Sequence, residues 1–186
     1  MTAYQSVLGL VDLQQGRLLS ARTRLQTLPF VVETTDQWLK FGTGPDPNTI
    51  VHLGWTLCLL GCLDEARAQA ERARALMHRS AHAQRQCAVL ANSCYLEQFC
   101  GRTQAVQAMA EEVLPLASEK GFSPFRGAAV FFRAWALVEQ HKVELEAGLA
   151  MMREGLSAYR GDTQHIKVPY FLTLMAEATA KAGRDG

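Results

Sequence analysis

Leu53-Gly54-Trp55-Thr56-Leu57 returns 80 residues later as Arg133-Ala134-Trp135-Ala136-Leu137. In each copy the small residue before the Trp stands seven positions ahead of a turn residue, Gly61 in the first and His141 in the second. Working outward, the turn residues Gly16, Gly61, Gly101, His141 and Gly183 lie 45, 40, 40 and 42 residues apart. The residues seven positions before them are Gly9, Gly54, Cys94, Ala134 and Ala176, all small. Five positions after the first three turns stand Ala21, Ala66 and Val106, small again. Small residues at both places let the two helices of a hairpin approach closely. A period of this length therefore reads as stacked helix–turn–helix units.

The apolar pattern between the turns is helical. Leu8, Val11, Leu18, Leu19 and Leu25 recur at three- and four-residue steps, as do Leu53, Leu57, Leu60, Ala66, Ala70 and Ala73. Extended alternation of apolar and polar residues, the strand signature, is hard to find. The pattern predicts helices at about 2–15, 18–28, 47–60, 63–78, 81–99, 102–119, 124–140, 143–159 and 167–182. Pro124 and Pro169 fall at helix starts, where a missing N–H costs nothing. Pro115 falls inside the sixth helix and predicts a kink or an early end. The expected fold is all-α: a right-handed α-solenoid of antiparallel helix pairs, about nine helices in one repeat domain over 1–186. Its units are about 2–28, 47–78, 81–119 and 124–159, with a half unit at 167–183.

Composition narrows the class. The chain has 186 residues, 19 Lys+Arg against 18 Asp+Glu, and 48% apolar residues. That is too apolar and too balanced for a disordered polypeptide. A formal net charge of +1 gives no general pull toward nucleic acid or an anionic membrane. The start, Met1-Thr2-Ala3-Tyr4-Gln5, lacks the basic opening and apolar run of a secretory signal. The longest strongly apolar stretch, Leu53 to Leu63, is well short of the ~20 residues that span a bilayer. Five cysteines without regular spacing do not make a secreted disulfide scaffold. The expectation is a soluble cytoplasmic protein with reduced thiols, binding neither nucleic acid nor membrane.

The small–turn–small arrangement resembles the tetratricopeptide repeat, with a period longer than that family's about 34 residues. Three stretches resemble the C-terminal repeat region of large bacterial signalling ATPases and adenylate/guanylate cyclases. They are Val51-His52-Leu53-Gly54-Trp55-Thr56-Leu57-Cys58-Leu59-Leu60-Gly61 with Asp64-Glu65-Ala66 after it, Ala134-Trp135-Ala136-Leu137-Val138-Glu139-Gln140, and Pro169-Tyr170-Phe171-Leu172 running to Lys181-Ala182-Gly183. In that family such repeats follow a nucleotide-binding ATPase module, often with a cyclase or DNA-binding domain. The chain departs from the family in having no G-x-x-x-x-G-K-[ST] phosphate loop and no cyclase carboxylates. It also has His141 where a turn Gly is usual, and an acidic start, Glu144 and Glu146, to its eighth helix. The resemblance implies the repeat module alone, with its last helix ending where a partner helix is expected.

In such a stack the first helix of each pair lines the concave face. Aligning the units on their turns places Leu10, Trp55, Tyr95, Trp135 and Glu177 at one equivalent position. Val51 and Phe131 lie four residues earlier on the same face; Leu59, Phe99 and Glu139 lie four later. The predicted binding groove is therefore Val51, Trp55, Leu59, Tyr95, Phe99, Phe131 and Trp135, with an acidic end at Glu139 and Glu177. Rings in a concavity are what peptide recognition uses. The same rings also serve if neighbouring inner helices simply pack on one another, and one edge of a Trp can do each.

Nothing in the sequence points to chemistry. Cys58 and Cys62 are four apart and Cys94 and Cys100 six apart, with no matched second pair, so no metal is expected and buried thiols are. His52, His78, His82, His141 and His165 are scattered, without triad spacing. Arg67, Arg72, Arg74 and Arg79 are answered by Asp64, Glu65 and Glu71. Gly42-Thr43-Gly44-Pro45 is too short for a phosphate loop. The long connection from Pro29 to Pro47 carries Phe30, Trp38 and Phe41, which suggests that it covers the first unit or docks on a partner. The expected function is non-catalytic, without cofactor: an interaction scaffold for a peptide or a partner domain, including the ATPase or cyclase domains of a larger chain. The alternative is a small-ligand sensor regulating an attached ATPase, cyclase or transcription activator. Exposed solenoid ends also predict homo-oligomers.

Overall fold

The computed structural model describes residues 2–27, 47–78, 82–160 and 167–182. The described residues are helical, with no strand among them. Among the described residues nine helices run in order: α1 (Thr2–Gln14), α2 (Leu18–Gln26), α3 (Pro47–Leu59), α4 (Leu63–Met77), α5 (Ala83–Phe99), α6 (Thr103–Glu119), α7 (Ser123–Glu139), α8 (Leu145–Arg160) and α9 (Val168–Ala182). The connection from Pro29 through Asp46, Arg79, His165 and the turn at Gly183 lie outside the described residues.

One turn closes five of the junctions. Gly16, Gly61, Gly101, Gly121 and His141 all have positive φ, between 53° and 81°. At each, the turn residue's N–H reaches the carbonyl three residues back, and the next N–H reaches five back: Gly61 to Cys58 at 2.9 Å with Cys62 to Leu57 at 2.9 Å, and Gly101 to Gln98 at 2.9 Å with Arg102 to Glu97 at 2.9 Å. This pair of bonds satisfies carbonyls that a helix end leaves open. Four of these turns lead into the next helix at once. The residue after the Gly caps it, its carbonyl accepting from Ala21, Ala66, Val106 or Arg126 four residues on. Ala21, Ala66 and Val106, the expected small positions, are fully buried.

Gly121 adds a turn that the 40-residue spacing does not mark. Together with Gly101 and His141 it breaks the chain every 20 residues, so α6, α7 and α8 are joined by the same device. Pro115 ends nothing: α6 runs through it to Glu119. The carbonyl that loses its partner there belongs to Glu111, and Glu111 and Pro115 both face solvent, while Val113 and Ala117 hold the helix from its buried side.

The chain divides into two compact units, Met1–Asn92 and Ser93–Gly186, with the boundary inside α5. In the first, α1 packs on α2, α2 on α3 and α3 on α4. Gly9 makes α1–α2 close: a Cβ there would meet Leu25 Cδ2 at 2.7 Å. Ala66, Ala70, Ala73 and Met77 form the buried stripe of α4, and Ile50, Val51, Leu53 and Leu57 fill the core above it. In the second unit α6 packs on α7, α7 on α8, and α9 on both α7 and α8. Its core is aromatic, built on Phe131, Phe132, Phe171, Tyr159 and Met152.

Candidate functional site

The nine groove residues fall into two groups by unit. In the first unit Val51 is fully buried and Trp55 is 6% exposed, whereas Leu59, at the end of α3, is 52% exposed. Trp55 donates its indole N–H to the Asn92 carbonyl at 2.9 Å. The Asn92 side-chain amide in turn donates to Asn48 Oδ1 at 2.7 Å. His52, one turn before Trp55 on α3, sits edge-on to its ring at 4.7 Å, and its Nδ1 lies 2.7 Å from the Asn48 carbonyl. Trp55 thus ties α3 to α5 through a part-buried polar link. Asn48 and Asn92 gave no signal in the sequence, because an Asn at a helix start and one in mid-helix each read as a solvated position.

In the second unit Tyr95, Phe99 and Phe131 come together in one cluster with Phe132, Tyr159, Tyr170 and Phe171. Phe131 and Phe171 have ring centroids 4.3 Å apart, Tyr95 and Phe132 4.6 Å, and Phe99 and Tyr170 5.6 Å. The last three helices supply the four additional rings, and no shared turn register marks them. Tyr170 donates its hydroxyl to Gln98 Oε1. Burial pushes the Tyr95 and Tyr170 hydroxyls well above the ordinary tyrosine range. The Lys167 ammonium lies over the Tyr95 ring, 4.1 Å from its centroid, and burial pulls it down to about 7.

Trp135 is 4% exposed on α7, within the core. Glu139, at the end of α7, takes an ion pair from Lys181 of α9, with Nζ 2.8 and 2.7 Å from its two oxygens. Glu177 is exposed. Of the expected groove, then, Leu59 and Glu177 face solvent, Phe99 and Glu139 are half-buried, and the remaining five side chains are core.

The five cysteines form no disulfide; Cys87 and Cys94 are buried, while Cys58, Cys62 and Cys100 are half-buried. Burial pushes the Cys87 thiol up to about 11 and Cys94 higher still, the opposite of an activated nucleophile. Among the described residues no three His, Cys, Asp or Glu side chains gather where a metal would bind. No described helix is long and apolar enough to cross a membrane. Comparison of the chain with models of known families, with curated proteins and with solved structures finds no match.

Proposed function

We propose that this chain is a non-catalytic, cytoplasmic interaction module, a right-handed α-solenoid of antiparallel helix pairs that binds a peptide or a partner domain. The observation that carries this reading is the left-handed turn with two backbone bonds, repeated at Gly61, Gly101 and His141. A short turn that satisfies its own carbonyls sends each helix back beside the last. Repeating it stacks one helix pair on another and builds a surface wider than any one helix. The resemblance to the repeat regions of bacterial signalling ATPases and cyclases supports a place beside such domains.

In this reading the buried rings fix the spacing of the inner helices, and contact with the partner falls to the accessible members of the set within the unit that begins at Ser93, namely Phe99, Glu139 and Glu177. Panning a displayed random-peptide library on the immobilised chain, then measuring a selected peptide by calorimetry, tests it. Glu177→Lys should weaken that peptide at least tenfold while leaving the melting temperature unchanged. Failure to select any peptide, or an affinity indifferent to that substitution, overturns the groove.

A further inference from the structure

Lys167 sets its amine against aromatic rings of the unit that begins at Ser93. Its Nζ lies 4.1 Å from the Tyr95 centroid. Tyr170 and Phe171, three and four residues further along, lie beside the same ring, with centroids 5.3 and 5.7 Å from it. Phe132 of α7 meets Tyr95 edge-on at 4.6 Å. A ring face attracts an ammonium but replaces only part of the water that the charge has lost. Position adds a second cost. Lys167 directly precedes α9, and its carbonyl accepts from the Phe171 N–H at 3.2 Å, so its backbone opens the helix. A helix start carries positive partial charge and disfavours a cation.

Both causes favour the neutral amine, and burial brings its pKa down to about 7. The titratable groups around these rings keep their protons at neutral pH, because burial pushes up the hydroxyls of Tyr95, Tyr159 and Tyr170 and the thiol of Cys94. At pH 7 about half of such amines have a free lone pair, against roughly one in a few thousand for a lysine in water. A lysine desolvated in this way is a nucleophile. Lys120, Lys142 and Lys181 offer a contrast: all three are exposed, and Lys120 and Lys181 pair with Glu119 and Glu139 at 2.6 and 2.7 Å. Lys167 is half-buried, which admits a small reagent ahead of a bulky carrier. Of the reactions open to a neutral amine, acylation suits this place best. It leaves an uncharged amide where burial and the helix start both oppose a cation, whereas an imine would gain a proton and restore the charge.

We propose that Lys167 is an acylation site whose amine takes the acyl group of a small acyl phosphate. The nitrogen lone pair attacks the carbonyl carbon and the bond from that carbon to the phosphate oxygen breaks. Phosphate leaves with the electron pair and takes up the proton that the nitrogen gives up. The products are an Nε-acyl-lysine and inorganic phosphate. None of this rests on the groove reading.

Treating the intact 186-residue chain with acetyl phosphate at neutral pH, and following each lysine by peptide mass spectrometry at short times, tests it. Acetylation of Lys167 should run at least tenfold faster than that of Lys120, Lys142 or Lys181. In urea concentrated enough to unfold the chain the preference should vanish, because the rings and the helix start are then gone. A Lys167 that is acetylated no faster than the other three in the folded protein overturns the proposal. So does a preference that survives unfolding, which would place its cause in the neighbouring sequence and not in the fold.

Discussion

Asp12 shows how a single residue can stand in for the apolar contact of a helix end. In the turn that closes these helices, the residue five before the next cap and the cap itself lie side by side, and that pair is ordinarily hydrophobic. Here Asp12 faces Arg17 and Glu97 faces Arg102, with both acids buried and both arginines partly exposed. The corresponding pairs elsewhere are Leu57 with Cys62, Ala117 with Phe122 and Leu137 with Lys142. Asp12 is the most heavily bonded, accepting from Ser20 Oγ at 2.5 Å and from the Arg17 and Arg24 Nε groups at 2.8 Å each. The Ser20 hydroxyl foremost, then Arg17, holds its carboxyl down to about 2. A carboxyl held below its unfolded value contributes stability that is full above about pH 4 and fades as pH falls through about 2. Asp12→Asn should therefore melt below wild type at neutral pH, and the gap should close between about pH 4 and pH 2. Thermal unfolding across that range checks it; a gap independent of pH would mean that Asp12 acts by shape alone.

His141 makes the complementary case. It occupies at φ 53° a conformation that glycine fills at Gly16, Gly61, Gly101 and Gly121. A Cβ in that region crowds the following carbonyl, at roughly 1–2 kcal/mol, partly offset because glycine has more freedom to lose on folding. His141→Gly should stabilise the protein by about 0.5–1 kcal/mol, read from the urea midpoint at constant slope. Gly101→Ala should do the reverse.

At the scale of elements, the helices were legible because the signals that make them are local. Apolar steps of three and four, glycines at stops and prolines at starts place α3 at Pro47–Leu59 and α7 at Ser123–Glu139, each within a residue of the expectation. The close crossing of α7 and α8 was not legible, because it depends on which faces meet. Gly127 and Gly155 sit backbone to backbone there. A Cβ on Gly155 would meet the Phe131 nitrogen at 2.5 Å and the Gly127 oxygen at 2.8 Å, and one on Gly127 would strike the Tyr159 nitrogen. The candidate site was half-legible for a related reason. An aromatic at an inner-helix position serves a groove and helix packing equally well, so register alone picks out Trp55, Tyr95 and Trp135 without saying which way they face. Their burial, and the Trp55 bond to Asn92, come from neighbours far off in sequence. Gly155→Ala has only backbone to push against, so α7 and α8 must move apart. The cost should exceed the about 1–3 kcal/mol of ordinary overpacking, measured by denaturant unfolding. A loss under about 0.5 kcal/mol would show that the two helices slide freely.

For the whole molecule, that substitution asks how far damage spreads. Leu25, Ile50, Val51 and Leu57 fill a core in the unit ending at Asn92, and Phe131, Phe132, Met152 and Phe171 fill another in the unit beginning at Ser93. Chains built from neighbour-to-neighbour contacts lose stability locally, since each element answers only to those it touches. α5 belongs to both units: Val89 and Leu90 are buried on the first side of the boundary, Tyr95 and Leu96 on the second. In the Gly155→Ala chain, amide exchange should quicken through α6, α7 and α8 and at Tyr95 and Leu96. Val51, Leu53 and Leu57, together with Val89 and Leu90, should keep their wild-type protection. The gradient would then fall within one continuous helix, which only separate cores can produce. Equal loss of protection from α1 to α9 would instead make the chain a single cooperative unit, in which the boundary at Asn92 has no energetic meaning.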